Sequence, residues 1–252
     1  MMENSDKNDI PFTPPYLSWL FPYKRKGMSV STKSPFMYFI FQNKISLLII
    51  NWTFQGMRGM GTADFIGKII LEILLIAILF PMMSGPVENR VVLAILIAHT
   101  VNWLFNSHFW DTGRFLGITR TDPGRFFPYL RRVVTRIKRD DDSSLPIGII
   151  IGGLSRNRGF AFTSDVDMIF IRGRGLKNAL TAVLVTIRER VIAFFCKFPL
   201  HLELYDDIDA MMKHRVDEVP VILKDADNTA RNWYRKAGRD ISFLDDYEGN
   251  DQ

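Results

Sequence analysis

Apolar and polar positions are patterned differently in the two parts of this chain. Between residues 36 and 110 the apolar residues form long runs, whereas after residue 144 they form short runs separated by glycines and charged residues. Long apolar runs are typical of helices, and short runs bounded by turn residues are typical of strands. We therefore predict a mainly helical first part and an α+β second part.

The two longest apolar runs predict a helical hairpin within residues 65–110. IILEILLIAILFPMM covers residues 69–83, VVLAILIAHTVNWLF covers residues 91–105, and a Ser-Gly-Pro turn lies between them. Fifteen helical residues reach only about 22 Å, against about 30 Å for the hydrocarbon core of a bilayer. Length alone leaves open whether the hairpin crosses a membrane or is re-entrant.

Polar residues inside the hairpin predict a face that is turned toward protein. Lys68 and Glu72 are one helical turn apart and can pair. His99, Asn102 and Asn106 are spaced i, i+3 and i+7, which places them on one side of a helix. Because such groups are costly against lipid, we expect a polar seam between helices rather than a metal site.

The chain after residue 144 predicts a mixed sheet with flanking helices. The predicted elements are strands at 147–151 and 166–171, a helix at 176–195, a strand at 200–205, a short helix at 209–214 and a last strand in PVILK. In PLHLELY the leucines alternate with His201, Glu203 and Tyr205, which is the period-two pattern of a half-buried strand.

The segment between the first two strands contains the candidate chemistry. Asp165 and Asp167 are two positions apart at the start of a strand, so their carboxylates point the same way and can bind one cation together. Gly152 and Gly153 follow the first strand, where a glycine turn lets backbone amides approach phosphate oxygens. This combination predicts a metal-dependent site for a phosphorylated substrate.

These residues, in this order, resemble the DNA polymerase beta-like nucleotidyltransferase superfamily, and especially its minimal nucleotidyltransferase branch. The family pattern is a hydrophobic residue, Gly, then Gly or Ser, a loop, and an Asp-x-Asp strand, with a third carboxylate on a later strand. Here Gly153 stands where the family often has serine, and Glu203 is the best third carboxylate. The similarity covers roughly residues 145–228.

The resemblance implies a nucleotidyltransferase-type domain that moves a nucleoside monophosphate from a nucleoside triphosphate to an acceptor hydroxyl. Asp165, Asp167 and Glu203 would bind Mg²⁺, and Glu203 would help to deprotonate the acceptor. An all-oxygen cluster favours magnesium over zinc. The residues implied in nucleotide binding are Gly152, Gly153, Ser155, Arg156, Arg158 and Ser164, although the two arginines are nearly as well explained as solvated loop residues.

Basic residues are concentrated on both sides of the hairpin in the sequence. The net charge is +5, and residues 114–139 contain eight Arg or Lys against one acid, Asp122. Basic residues also precede the hairpin, so both flanks are predicted to be cytoplasmic. In residues 126–139 apolar residues recur at helical spacing, which fits either an interfacial helix on anionic headgroups or a surface helix packed on the catalytic domain.

We therefore divide the chain into a polar segment at 1–35, a membrane-associated helical region at 36–139 and a catalytic domain at 145–242. The expected partners are a nucleoside triphosphate, membrane lipid and an unidentified acceptor. Nucleic acid is not expected, because aromatic residues cluster in apolar runs instead of alternating with basic ones. The single cysteine, Cys196, lies in VIAFFCKF and is expected to be a buried, inert thiol.

The alternative function is a catalytically silent nucleotidyltransferase-like protein that serves as a membrane-bound nucleotide sensor or scaffold. Such a protein would keep the domain but not the metal-dependent reaction.

Overall fold

A computed structural model describes residues 44–55, 60–106, 108–115, 122–140, 142–153, 155, 165–209, 219–234 and 239–240. Its helices are α1 (Lys44–Phe54), α2 (Thr62–Met82), α3 (Val87–Phe105), α4 (His108–Phe115), α5 (Pro123–Arg139), α6 (Leu176–Phe195) and α7 (Thr229–Trp233). Its strands are β1 (Ile147–Ile151), β2 (Val166–Ile171), β3 (Leu200–Tyr205), β4 (Val221–Asp225) and β5 (Arg239–Asp240). The segment 1–35 and most of the short helix predicted at 209–214 lie outside the described residues.

The five strands form one mixed sheet in the order β3-β2-β1-β4-β5. β1 is antiparallel to both β2 and β4, whereas β2 is parallel to β3 and β4 is parallel to β5. The first three strands and α6 have the predicted bounds, and the strand in PVILK is confirmed one residue further along. The α+β class with a mixed sheet and flanking helices is therefore confirmed.

Helices α5 and α6 contribute to the core on one face of the sheet. The α5 residues in this core are Phe126, Phe127, Tyr129, Leu130, Val133, Val134 and Ile137, and they share it with Val166, Met168 and Phe170 of β2. Leu130 and Ile137 are completely buried. The interfacial interpretation of residues 126–139 is therefore wrong, because the apolar stripe of α5 is covered by the sheet domain. We expected the sheet domain to begin after residue 144. Helix α5 ends before that residue, but it packs in the core of the sheet domain.

One of the α5 arginines neutralises a buried acid. Arg136 Nη2 lies 2.6 Å from Oε2 of Glu189, whose side chain is fully buried in α6. The hydrogen bond to Glu189 raises the pKa of Arg136 above its usual value. Arg188 pairs with Asp140 at 2.8 Å, directly after α5 ends. These two pairs join α5 to α6. Arg136, one of the eight basic residues in 114–139, therefore serves internal packing.

The cysteine is exposed, and the expectation of a buried thiol is wrong. Cys196 directly follows the last residue of α6, and Phe195 beside it is 70% exposed. At this end of the helix the buried positions are Ala193 and Phe198. The apolar run VIAFFCKF therefore turns around the end of a helix, and Cys196 occupies its outer side.

The predicted helical hairpin is confirmed by α2 and α3. Both helices are longer than the apolar runs from which they were predicted. Gly85 in the connecting turn has φ 112°, a value that favours glycine. Arg90 closes the tip of the hairpin: its Nη2 donates to the Phe80 carbonyl at 3.1 Å, and its guanidinium lies 4.4 Å from the centre of the Phe80 ring.

The polar seam inside the hairpin is also confirmed. Glu72 Oε1 lies 2.9 Å from Nδ1 of His99, and the Asn102 amide donates to Glu72 Oε2 at 3.1 Å. Lys68 has a different partner from the expected Glu72, since its ammonium group donates to the Gln55 carbonyl at 3.0 Å. The polar groups of α2 and α3 thus bind one another and α1.

The outer faces of α2 and α3 are apolar and exposed. The exposed large side chains are Phe65, Ile66, Ile69, Ile70, Ile73, Leu74, Ile78 and Met82 on α2, and Val87, Val91, Val92, Leu93, Ile95, Leu96 and Ile97 on α3. Among the described helices, α2 alone is long and apolar enough to cross a membrane, and 11% of its most apolar stretch is buried. Its 21 residues reach about 31 Å.

The base of the hairpin is attached to the sheet by a buried ion pair. Arg190 of α6 binds both carboxylate oxygens of Asp64 in α2, at 2.7 and 2.6 Å. The same guanidinium donates to the Leu202 carbonyl of β3 at 2.6 Å and to Asn106 after α3 at 3.1 Å. The two charged side chains are 3% and 2% exposed. One guanidinium therefore joins the hairpin, α6 and the edge strand.

The first turn of α2 begins against the end of β3. The amide of Gly61 donates to the Leu204 carbonyl at 2.9 Å, and a Cβ at Gly61 would lie 2.6 Å from that oxygen. Asp206 accepts from the Thr62 amide at 2.6 Å and from Arg172 Nε at 2.6 Å. Burial raises the pKa of Asp206, but these hydrogen bonds outweigh it and the net pKa lies below the usual value.

We predict that Asp64→Asn lowers the free energy of unfolding by about 3–5 kcal/mol, because it leaves the Arg190 charge buried without its counter-ion. Equilibrium urea unfolding of the purified full-length protein in detergent measures this. The matched control is Asp227→Asn, at an exposed turn position, which we expect to change stability by less than about 0.5 kcal/mol. A loss of about 1 kcal/mol or less for Asp64→Asn, as exposed pairs give, would contradict the attachment.

Candidate functional site

The candidate site lies at the end of the sheet where β1 ends and β2 begins. Antiparallel pairing places Ile151, the last residue of β1, opposite Asp167 in β2. Asp165 directly precedes β2. The glycine turn after β1 and the two aspartates are therefore neighbours, as their order in the sequence predicted.

The glycine turn touches one of the aspartates. Gly152 has φ 90°, and a Cβ added there would lie 2.5 Å from Asp167 Oδ2. Both the backbone conformation and the close carboxylate require glycine at this position. At Gly153, by contrast, an added Cβ meets nothing within 4 Å. The position where the resembled family often has serine is therefore sterically open in this chain.

Ser155 has a partner inside the turn. Its hydroxyl donates to the Gly152 carbonyl at 3.1 Å, and the residue is completely buried. This contact closes the turn around Gly152, which gives Ser155 a supporting role in the turn's shape. The predicted contact of its hydroxyl with a nucleotide stays a prediction.

His201 stands between two acids that the sequence analysis selected. The parallel pairing of β2 with β3 sets Asp167 beside His201 and Ile169 beside Glu203. His201 Nδ1 lies 3.2 Å from Asp167 Oδ1, and its Nε2 lies 3.7 Å from Glu203 Oε1. The carboxylates of Asp167 and Glu203 therefore lie on the same face of the sheet, one imidazole apart.

Tyr205 holds the other oxygen of Glu203. The phenol hydroxyl donates a short hydrogen bond to Glu203 Oε2, and Tyr205 is 1% exposed. Burial raises the pKa of Tyr205, and the neighbouring Glu203 charge raises it further. The phenol therefore keeps its proton, and so its hydrogen bond, at neutral pH.

Sequence reasoning gave no functional role to His201 or Tyr205. The signal was present, since both alternate with Glu203 at period two in PLHLELY and so share its face. What the alternation does not give is the register against β2, which decides that His201 faces Asp167.

The chemistry of the acids fits magnesium, because Asp165, Asp167 and Glu203 offer only oxygen donors. Their arrangement does not form a metal site as it stands: within the described ranges, no group of three or more His, Cys, Asp or Glu residues is arranged to hold a metal ion. The three-acid site therefore stays a prediction. With strands about 4.8 Å apart and about 3.3 Å per residue, the backbones of Asp167 and Glu203 are about 8 Å apart. A cation shared by Asp167 and Glu203 would require the Glu203 carboxylate to turn away from Tyr205.

Three of the predicted nucleotide-binding residues, Arg156, Arg158 and Ser164, lie outside the described part of the chain, and their roles stay predictions. Comparisons of the chain with protein-family models, curated proteins and solved structures found no match in any of the three. The argument about function therefore depends on the motif and on the geometry of the described residues.

We predict that Gly152→Ala lowers the free energy of unfolding by about 1–3 kcal/mol, because alanine is strained at this φ and its Cβ displaces the Asp167 carboxylate. Urea unfolding measures the loss. Gly153→Ala is the matched control, and we expect it to leave stability unchanged or slightly raised. Equal effects of the two substitutions would contradict the close contact between the turn and Asp167.

Proposed function

We propose that this protein is a membrane-associated, magnesium-dependent nucleotidyltransferase. The observation that carries the proposal is the contact between the glycine turn and Asp167, because it brings a candidate phosphate cradle and a candidate metal ligand to one point. The same-face placement of Glu203 supports a third carboxylate near that point. Magnesium bound by Asp165 and Asp167 would neutralise charge that develops on the phosphate oxygens.

In the proposed reaction, an acceptor hydroxyl attacks the α-phosphorus of a nucleoside triphosphate. A new oxygen–phosphorus bond forms to the nucleoside monophosphate, the bond to the β-phosphate bridge oxygen breaks, and pyrophosphate leaves. The backbone amides of Gly152 and Gly153 orient the triphosphate. Glu203 accepts the proton of the hydroxyl, and His201 lies between Asp167 and Glu203 on their shared face of the sheet.

The membrane part of the proposal is supported by the exposed surface of α2 and α3. Apolar side chains face outward along both helices, while the polar groups of Glu72, His99 and Asn102 bind one another inside. This is the arrangement expected of helices that contact lipid, where polar side chains turn to the bundle interior. With basic residues on both flanks, the catalytic domain would face the cytoplasm.

A second candidate function is supported by the partners of Glu203. In the structure one of its oxygens accepts from Tyr205 and the other faces His201. If Glu203 stays bound to Tyr205 and His201, the domain does not form the three-acid site. It would then act as a nucleotide sensor or scaffold on the membrane.

Nucleotide binding tests the proposed binding of magnesium by Asp165 and Asp167, which the two functions share. We predict that Asp165→Asn and Asp167→Asn each abolish magnesium-dependent binding of a labelled nucleoside triphosphate to the full-length protein while the fold is retained, because each removes a carboxylate that would hold the cation. Equilibrium dialysis over the four common triphosphates, with magnesium or with chelator, measures this. Asp227→Asn is the control and should bind as the parent does.

Glu203→Gln decides between the two functions once binding is established. If the protein is a nucleotidyltransferase, Glu203→Gln should lower the turnover of the parent protein. If it is a sensor, the parent protein has no turnover, and Glu203→Gln should leave magnesium-dependent binding unchanged. Nucleotide binding that is unaffected by Asp165→Asn and Asp167→Asn would overturn the proposed metal site.

We also predict that the full-length protein sediments with membranes and needs detergent for extraction, because the apolar outer face of the hairpin is costly to expose to water. Ultracentrifugation of a lysate prepared without carbonate, followed by size-exclusion chromatography, measures this. Recovery of the protein as a monodisperse species in the detergent-free soluble fraction would contradict the membrane association.

A further inference from the structure

A leucine stripe runs along the first half of α6, on the outside of the sheet domain. Leu176, Leu180 and Leu184 are spaced four residues apart and are 77%, 52% and 66% exposed. Residues at this spacing lie above one another on a single helix face. The opposite side of the same helix is buried in the core through Ala182 and Val185. The stripe is therefore an apolar surface on a domain that already has its own core.

The helix that carries the stripe packs against the hairpin. α6 packs directly on α2 at Gly67, where an added Cβ would lie 2.5 Å from Cγ1 of Val183. Val183 is the neighbour of Leu184 in the chain. Ile66 directly precedes Gly67 and Ile69 lies two residues after it, and they are 49% and 39% exposed. The exposed leucines and the exposed isoleucines therefore lie on two helices that pack against each other at this point.

Charge at the start of α6 indicates what this surface contacts. Arg174 and Lys177 are both exposed beside Leu176. An exposed apolar stripe with adjacent cations is the pattern of a helix that lies in the interface of a bilayer, with its leucines among the acyl chains and its cations at anionic headgroups.

We propose that the first half of α6 lies on the surface of the bilayer and forms a second membrane contact beside the hairpin. This inference rests on the proposed membrane association of α2 and α3, and it adds that the sheet domain itself touches lipid. The occupant of the stripe is an anionic lipid surface, because the helix that carries it packs against the hairpin, whose outer face is apolar, and because Arg174 and Lys177 border the stripe.

The contact fixes which way the candidate site faces. Leu176 follows the end of β2, whereas Asp165 and Asp167 lie near its beginning, about 20 Å and about 13 Å from Ile171 along the strand. Asp167 also lies on the sheet face opposite the one that α6 covers, since Met168 and Phe170 share the α6 core. Nucleotide therefore reaches the site from the aqueous side.

Spin labels on the full-length protein in nanodiscs that contain anionic lipid test the contact. In a Cys196→Ser background, Leu180→Cys places a label on the stripe, Thr135→Cys places a control label on the exposed side of α5, and Ile73→Cys places a reference label on the hairpin. Collision with oxygen, which concentrates in lipid, is compared with collision with a water-soluble nickel chelate.

At Leu180→Cys we expect more collision with oxygen than with the nickel chelate, as at Ile73→Cys, and the reverse at Thr135→Cys. Free collision of the Leu180→Cys label with the nickel chelate would overturn the inference while the hairpin still inserts. Protection from both reagents would also overturn it, since a second copy or another segment of the chain would then cover the stripe. Water exposure at Ile73→Cys would show that the proposed membrane association itself fails.

Discussion

The guanidinium of Arg190 is the interaction on which the arrangement of the whole molecule depends. It binds Asp64 in the hairpin, the Leu202 carbonyl in the edge strand and Asn106 after α3, all in the buried interior. Burying a charge costs several kcal/mol unless geometry and hydrogen bonds compensate, and here a bidentate carboxylate and a backbone carbonyl both do so. The hairpin and the sheet are therefore held in one fixed relation, and the orientation of the hairpin sets the orientation of the site.

Much of the fold was predictable because its signals are local. The strands at 147–151, 166–171 and 200–205 follow from short apolar runs with turn residues between them, and the hairpin follows from two long runs around a Ser-Gly-Pro turn. The polar seam was predictable from helical spacing, since His99 and Asn102 are three residues apart and so lie on the same side of one helix.

What could not be predicted is decided by tertiary contacts. A helix such as α5 shows the same apolar stripe whether it lies on lipid or on a sheet, because both bury one face, and the structure places Leu130 and Ile137 in the core. Cys196 was misjudged for a similar reason: an apolar run at the end of a helix has an outer side, and hydropathy alone does not tell which residue takes it.

One part of the candidate site was predictable from local sequence, and another part depends on tertiary contacts. The neighbourhood of Gly152 and Asp167 follows from a strand, a turn and a returning strand, so local sequence predicted it. The placement of His201 between Asp167 and Glu203 depends on the parallel register of two strands that α6 separates in the chain. Local patterns do not encode that register. The hydrogen bond from Tyr205 to Glu203 is different, because it joins two positions on one face of β3, which the alternation in PLHLELY already indicates.

The most direct test of the central claim is a structure of the full-length protein with Mn²⁺ and a non-hydrolysable nucleoside triphosphate, in which anomalous scattering locates the metal. The account predicts a metal bound by the carboxylates of Asp165 and Asp167, the triphosphate against Gly152, and Glu203 turned from Tyr205 toward the metal. Triphosphate bound elsewhere, with His201 still between Asp167 and Glu203 and no anomalous signal beside them, would contradict it.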